Sequence, residues 1–294
     1  MTFARWIDEV ATSSTELDQE SLVWSWHQLR NEEDMFRSLQ VAATGMVAQE
    51  TKLDTIANNL ANSNTTGYKR QDAEFEDLLY QNQRSAPANP AGGVAPSGVQ
   101  LGSGVRVVAT SRAFSQGAII QTGNPLDVAI EGNGFLAVTR KAGEMAYTRA
   151  GSLKVDAQGR IVTSDGLAVE PSISVPPDAT SISIASDGSV SALTPGQRTP
   201  TQLGQIQLVT FPNPNGLEAA GHNLFSASAA SGEPVTGAAG TDGRGTLLQG
   251  SLEGSNVEVV TEMIGLIRTQ RAYEVNSKVI AAADEMLRKA TDIR

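Results

Sequence analysis

From residue 35 the apolar positions of the chain recur at helical spacing. Leu39, Met46, Leu53 and Leu60 stand seven apart, with Ala42, Gln49 and Ile56 between them, an a/d seam with one polar member. About 26 residues at 1.5 Å rise give roughly 39 Å of helix. The asparagines Asn58, Asn59, Asn62 and Asn64 mark its end, and Gly67 can take the left-handed conformation that follows a helix. The C-terminal segment repeats the design. Val259, Leu266, Tyr273, Ile280 and Leu287 are again seven apart, and Met263, Ile264, Ile267, Val279, Ala283 and Met286 widen the stripe. Ser255 or Asn256 offers an N-cap, and from 256 to 290 there is no proline and one glycine, Gly265.

Between these helices the period changes. Residues 81–104 are rich in Pro, Gly, Ser and Ala and read as an extended connector with little regular structure. Short β-like runs then alternate with turns, at 105–109, 126–130, 135–138, 161–163, 182–184 and 206–211. The turns carry Gly132-Asn133-Gly134, Gln158-Gly159, Asp165-Gly166 and Asp187-Gly188, where positive φ costs little. A second loose stretch near 226–246 leads back to the C-terminal helix. The expected fold is α+β: long N- and C-terminal helices paired as a coiled-coil-like unit, with a central all-β domain and extended Gly/Pro-rich connectors. The divisions are a leader at 1–34, the N-terminal helix at 35–70, an extended connector at 71–112, a central β domain at 113–235, a return connector at 236–255 and the C-terminal helix at 256–294.

Either stripe alone is what an ordinary helix packing on its own core would show. Two such seams at opposite chain ends leave apolar surface that a two-helix pair cannot cover, so further copies are expected to cover it. The expected assembly seam is Leu39, Met46, Leu53, Ile56, Leu60, Val259, Leu266, Tyr273, Ile280 and Leu287.

Composition narrows the function. The formal charge of −10 opposes nucleic-acid binding, which needs a basic face. With no cysteine the chain has neither disulfides nor thiolate chemistry. No apolar run is long enough to span a membrane, and no basic start followed by an apolar stretch marks a cleaved signal peptide. His27 and His222 are the only histidines, so no histidine cluster suggests a metal or a catalytic triad. Gly102-Ser103-Gly104 and Gly132-Asn133-Gly134 complete no phosphate-loop motif, and Asp156 and Asp165 lie beside turn glycines. No enzyme activity, cofactor or metal is expected.

Residues 1–34 differ from the rest. They hold Trp6, Trp24 and Trp26, all the tryptophans of the chain, and eight acidic residues against Arg5 and Arg30. They read as an atypical acidic leader, expected to be poorly ordered, upstream of a start at Met35; the alternative is an appendage with a short amphipathic helix using Trp24, Trp26 and Leu29.

Residues 48–69, AQETKLDTIANNLANSNTTGYK, closely resemble the N-terminal signature of the flagellar basal-body rod and hook family, and 252–287 resemble its C-terminal signature. The matching positions include Asn58, Asn59, Asn62, Thr65, Gly67, Tyr68, Lys69, Arg271 and Asn276. The segments GNPLDVAIEGNGFLAV, YTRAGSLKVDAQGRIVTSDG and GQIQLVTFPNPNGLEAAGHNLF are most similar to the distal-rod member. The leader has no counterpart in that pattern, and the ending ATDIR differs slightly from it.

The resemblance implies a homo-oligomeric hollow helical tube in the periplasm, with the terminal helices as its inner layer and the β domain outside. Torque passes through it from motor to hook, and it surrounds the export channel. The implied partners are proximal rod proteins, the hook or a hook adaptor, the P and L ring proteins and the flagellar type III export apparatus, with export needing no cleaved signal peptide. The connector at 81–104 corresponds to a region that bridges neighbouring subunits. The alternatives are another axial subunit, from the proximal rod or the hook, and a secreted β-domain binding module.

Overall fold

A computed structural model of the chain describes residues 19–84, 98–140, 143–197 and 199–292. They form two compact units. One takes residues up to Glu50, Phe75–Arg106 and residues from Arg271 on; the other takes Thr51–Glu74 and Val107–Gln270. Two long helices, α1 (Gln19–Ala61) and α2 (Val259–Asp292), flank a β-rich region. This is an α+β chain.

Helix α1 begins inside the segment read as a poorly ordered leader. Residues 19–44 contain neither proline nor glycine, so nothing local stops the helix before Met35. The remainder of that segment, 1–18, lies outside the described residues.

Four strands follow: β1 (Gln71–Asp77), β2 (Tyr80–Arg84), β3 (Val99–Gly102) and β4 (Val105–Arg112). Strand β1 pairs with β4, and β2 runs antiparallel to β3 with Gln81 opposite Leu101. The described residues of the segment expected as an extended connector, 71–112, thus include paired strands. Proline and glycine concentrate at 85–97, outside the described residues, while the flanking residues retain strand-compatible side chains and pair.

Further along run β5 (Ile119–Gln121), β6 (Val128–Glu131), β7 (Phe135–Thr139), β8 (Met145–Thr148), β9 (Leu153–Val155), β10 (Ile161–Thr163), β11 (Ala168–Glu170) and β12 (Ser181–Ile184). Then come β13 (Ser189–Leu193), β14 (Thr201–Gln205), β15 (Gln207–Thr210), β16 (Glu218–Gly221), β17 (Leu224–Ser226), β18 (Val235–Ala238), β19 (Thr246–Gln249) and β20 (Ser251–Glu253). The main sheet has the order β16-β17-β8-β7-β11-β10-β9, with β15 joining β7 to β18. Strand β7 is buried on both faces. Leu136 and Val138 enter an aliphatic core with Val128, Ile161 and Leu208, while Phe135 and Ala137 enter an aromatic cluster with Tyr147, Phe211 and Phe225. The two-residue alternation of a strand produces this division. The Phe135 ring meets Phe114, Phe211 and Phe225 edge-on at 5.5–5.9 Å.

The return connector expected at 236–255 is also structured. Strand β19 pairs with β6, and β20 pairs with β5. Leu247 is buried in the aliphatic core, and that burial holds a glycine-flanked stretch in register. The turn glycines Gly132, Gly159, Gly166 and Gly188 all have positive φ.

Candidate functional site

The segment from Asn58 to Arg70 closes the end of α1 and attaches it to the β region through a dense polar network. Asn62 donates through Nδ2 to the Asn58 carbonyl at 2.9 Å and accepts from the Thr65 hydroxyl at 3.1 Å, tying down the turns that end the helix. Gly67 follows at φ +70°, and its N–H donates to the Glu253 carbonyl at 2.8 Å. A Cβ at this position would sit 2.8 Å from the backbone of Arg149 and Ala150. Backbone cannot yield as a side-chain tip does, so glycine is required twice over, by conformation and by space.

Asn59 is 1% exposed and saturates its amide. Its Nδ2 donates to the Gln71 carbonyl at 2.8 Å and its Oδ1 accepts from the Gln71 N–H at 2.9 Å, so the side chain pairs with β1 as another strand would. Nδ2 also lies 3.3 Å from Oε2 of Glu262 on α2. The Tyr68 hydroxyl donates to Oδ1 of Asn58 at 2.9 Å and of Asn59 at 3.1 Å. Burial raises the Tyr68 pKa, opposed by the nearby Arg112 guanidinium and assisted by Glu262. Arg112 lies 6.0 Å from the Tyr68 ring centroid and 5.5 Å from that of Phe225.

Beneath this layer lies a buried charge cluster. Lys69 Nζ is 2.6 Å from Glu253 Oε1 with both side chains fully buried, and it also donates to the Ser115 carbonyl at 2.7 Å. Arg149 Nη1 is 3.4 Å from the same carboxylate oxygen, and the Gly117 N–H donates to it at 2.9 Å. Arg149 also donates through Nε to the Gly134 carbonyl at 2.9 Å and through Nη2 to the Gly132 carbonyl. Its guanidinium lies 5.6 Å from the Phe135 ring centroid. Burial lowers the Lys69 pKa, the Arg149 charge lowers it further, and Glu253 opposes both. One carboxylate thus fastens the end of the N-terminal signature, the β region and the approach to α2. Its other oxygen, Oε2, is buried without a hydrogen bond among the described residues.

Asn256 does not act as an N-cap. It receives the Arg70 N–H at 2.7 Å and donates to the carbonyls of Ala113 at 2.7 Å and Ser115 at 3.1 Å, and the helix starts later, at Val259. Its chemistry is spent on the loop from β4 rather than on α2. The β16–β17 hairpin contributes a further clasp: Asn223, at φ +57°, donates to the Thr66 carbonyl at 3.0 Å.

The helix contacts define how α1 and α2 meet. Asn59 faces Glu262, and Cδ1 of Ile56 would lie 3.5 Å from a Cβ on Gly265, so the helices run antiparallel here. In the other unit, a Cβ on Gly45 would lie 2.9 Å from Nδ2 of Asn276. The buried helix positions include Ala42, Ala48, Thr55, Ile56 and Asn59 on α1 and Glu262, Thr269 and Ala283 on α2. These are mostly small or polar. Of the seam positions, Ile56 is buried. Leu39, Met46, Leu53, Leu60, Leu266, Ile280 and Leu287 are half-buried, and Val259 and Tyr273 are exposed. Arg271 is exposed and Asn276 half-buried.

The signature residues from Asn58 to Lys69 are thus brought together, whereas Arg271 is not part of their network. Sequence reading missed Arg149, Glu253, Asn256 and Glu262 as their partners. Glu253, Asn256 and Glu262 lay within the quoted C-terminal signature, and no spacing rule singles them out as partners of the N-terminal signature. Among the described residues no group of His, Cys, Asp or Glu has metal-binding geometry, and no helix is long and apolar enough to cross a membrane.

Three family models match the chain. The flagella basal body rod protein model covers residues 39–69, the flagellar hook protein FlgE/F/G D1 domain covers 129–192, and the flagellar basal body rod FlgEFG protein C-terminal model covers 248–293. The chain is 47% identical over 260 residues to the flagellar basal-body rod protein FlgG of Caulobacter vibrioides, covering 88% of this chain and 99% of that one. It is 39% identical to the Bacillus subtilis protein of the same name over 88% of this chain and 100% of the relative. Against the flagellar hook-basal body complex protein FlhP of B. subtilis identity is 33%, over 88% of this chain and 100% of the relative. The signature network, the two terminal helices and this similarity over 88% of the chain together establish that the chain belongs to the flagellar basal-body rod and hook protein family.

Proposed function

We propose that this chain is a structural subunit of the distal flagellar rod, copies of which associate through α1 and α2 into a hollow helical tube. The tube carries torque from the motor towards the hook and encloses the export channel. The observation that supports assembly is the disposition of side chains on α2. Its contacts with α1 use Glu262, Gly265 and Asn276, while Val260, Met263, Ile264, Ile267, Val275 and Met286 stand roughly half exposed or more. Several exposed large apolar side chains gathered on one side of a helix mark an interaction surface. The β region forms the outer layer in this reading, and the buried Lys69–Glu253–Arg149 cluster transmits load between it and the helices. The similarity to relatives named FlgG favours the distal subunit over other axial proteins.

The partners proposed are further copies of the chain, the proximal rod proteins, the hook or its adaptor, the P and L ring proteins and the type III export apparatus. The site of action is the periplasmic part of the basal body, reached without a cleaved signal peptide. Expression of the chain in a rod-deficient strain tests the reading. Restored swimming, with hooks attached to the basal bodies seen by electron microscopy, is the expected result. Basal bodies that remain rodless despite normal expression and export of the chain would overturn it.

A further inference from the structure

The chain contains two Asn-Gly steps, Asn133-Gly134 and Asn215-Gly216, and both asparagines are exposed. Such a step is prone to one reaction. The amide nitrogen of the glycine reaches the carbonyl carbon of the asparagine side chain, because glycine has no Cβ to hinder the approach. The fold treats the two steps differently.

Asn215 lies in the short 3₁₀ turn Pro214–Gly216. The Gly216 N–H donates to the Asn213 carbonyl at 3.2 Å, so the nucleophile is engaged. Asn213 is itself fastened, its N–H to the Ser231 carbonyl at 3.2 Å and its Nδ2 to that of Ala230 at 3.0 Å. A Cβ on Gly216 would meet the backbone of Ala230 and Ser231 at 2.5 Å, which leaves the turn no room to rotate.

Asn133 stands between Gly132 and Gly134, at φ +105° and +141°. The Gly134 N–H has no acceptor among the described residues. Asn133 and Gly134 both line an open cavity of about 330 Å³, with Phe114, Phe135 and Arg149 in its walls, and solvent in that cavity reaches the nucleophile. The carbonyls of the loop are held. The Gly245 N–H donates to that of Asn133 at 2.7 Å, and Arg149 donates to those of Gly132 and Gly134.

We propose that Asn133 is a site of spontaneous conversion to isoaspartate, and that this conversion releases Arg149 from the loop. The Gly134 nitrogen loses its proton to hydroxide and attacks Cγ of Asn133. The N–Cγ bond forms, the Cγ–Nδ2 bond breaks, and Nδ2 leaves as ammonia with a proton from water. Water then opens the cyclic imide. Attack at Cγ gives aspartate, and attack at the main-chain carbonyl carbon gives isoaspartate. In isoaspartate the chain runs through Cγ, the backbone is longer by a methylene, and the former Asn133 carbonyl is a free carboxylate. The Gly132 and Gly134 carbonyls then leave the register that Arg149 bridges, and Arg149 is the second cation on Glu253. At the other step Gly216 must first give up its hydrogen bond, which slows Asn215 roughly fivefold or more relative to Asn133.

Peptide mapping of the full chain by mass spectrometry, after incubation at mildly alkaline pH, tests the assignment. Asn133 should convert faster than Asn215 by that factor, with isoaspartate among its products. In urea the two rates should converge, because the fold no longer separates them. Equal rates in the native chain overturn the assignment, as does an Asn133 that stays an amide through the period in which the unfolded chain converts. The aged chain should also melt below the fresh one, whereas Asn133→Gln, whose longer side chain closes the ring far more slowly, should keep its midpoint. An aged chain that carries isoaspartate at residue 133 and melts like the fresh one overturns the coupling to Arg149.

Discussion

Lys69 and Glu253, 184 positions apart in the chain, meet at 2.6 Å with neither side chain accessible to water. Glu253→Gln leaves Lys69 and Arg149 as buried cations facing a neutral amide. An uncompensated buried charge of this kind costs roughly 3–5 kcal/mol. Lys69→Met should cost less, roughly 1–3 kcal/mol, because Arg149 and the Gly117 N–H still serve the carboxylate. The double variant should destabilise less than the sum of the two, and urea denaturation of the four proteins measures that coupling.

Gly67 and Gly166 both have positive φ, +70° and +78°, but only Gly67 is packed against backbone. Gly166→Ala meets nothing within 4 Å and should cost about 1–2 kcal/mol, the conformational term alone. Gly67→Ala adds a clash with Arg149 and Ala150 and should cost roughly 2–4 kcal/mol. Equal midpoints for the two variants in thermal denaturation would contradict the close approach described here.

Asn59 binds Gln71 from both ends of its amide and stands 3.3 Å from Glu262. Asn59→Asp replaces a donor with an anion facing a carbonyl and a second carboxylate. It should be more destabilising than Asn59→Ser at pH 7, and the gap should narrow as the medium is acidified and the carboxylates are neutralised. Thermal melts of the two variants across the acid range check this ordering.

Asp187 shapes the Asp187-Gly188 turn. The Ser189 hydroxyl and then the Ser189 N–H donate to its carboxylate and hold its pKa below 3.8. The associated stability is fully present above 3.8 and is lost as pH falls through the lower folded value. Nuclear magnetic resonance titration should show a depressed midpoint in the native chain, and Ser189→Ala should move it back towards 3.8.

Much of this arrangement was legible in the residues. Seven-residue spacing located both helices, and Asn58, Asn62 and Gly67 marked where α1 ends. The runs at 135–138 and 161–163 became β7 and β10 nearly unchanged. Three features were not legible. A stripe of large apolar residues shows that a helix has a face to bury but not whether its own chain covers it. Gly45, Asn59, Glu262 and Gly265 carry intrachain helix contacts, while Val260 and Ile267 remain exposed. The partners of Lys69 come from distant segments, so neither Arg149 nor Glu253 leaves a local signal. The strands at 80–84 and 246–253 escaped notice because neighbouring glycines and prolines mask short alternating runs that only pairing stabilises.

That copies associate through the uncovered side of the helices is tested most directly by one comparison. Sedimentation velocity with electron microscopy, over a concentration series, would set the full chain beside Ile264→Asp/Ile267→Asp. Both isoleucines are 47% exposed, so the substitutions should change folding stability by only about 1 kcal/mol. The account predicts hollow tubes from the native chain and a folded monomer from the variant at every concentration tested. Tubes formed equally well by the variant would contradict it.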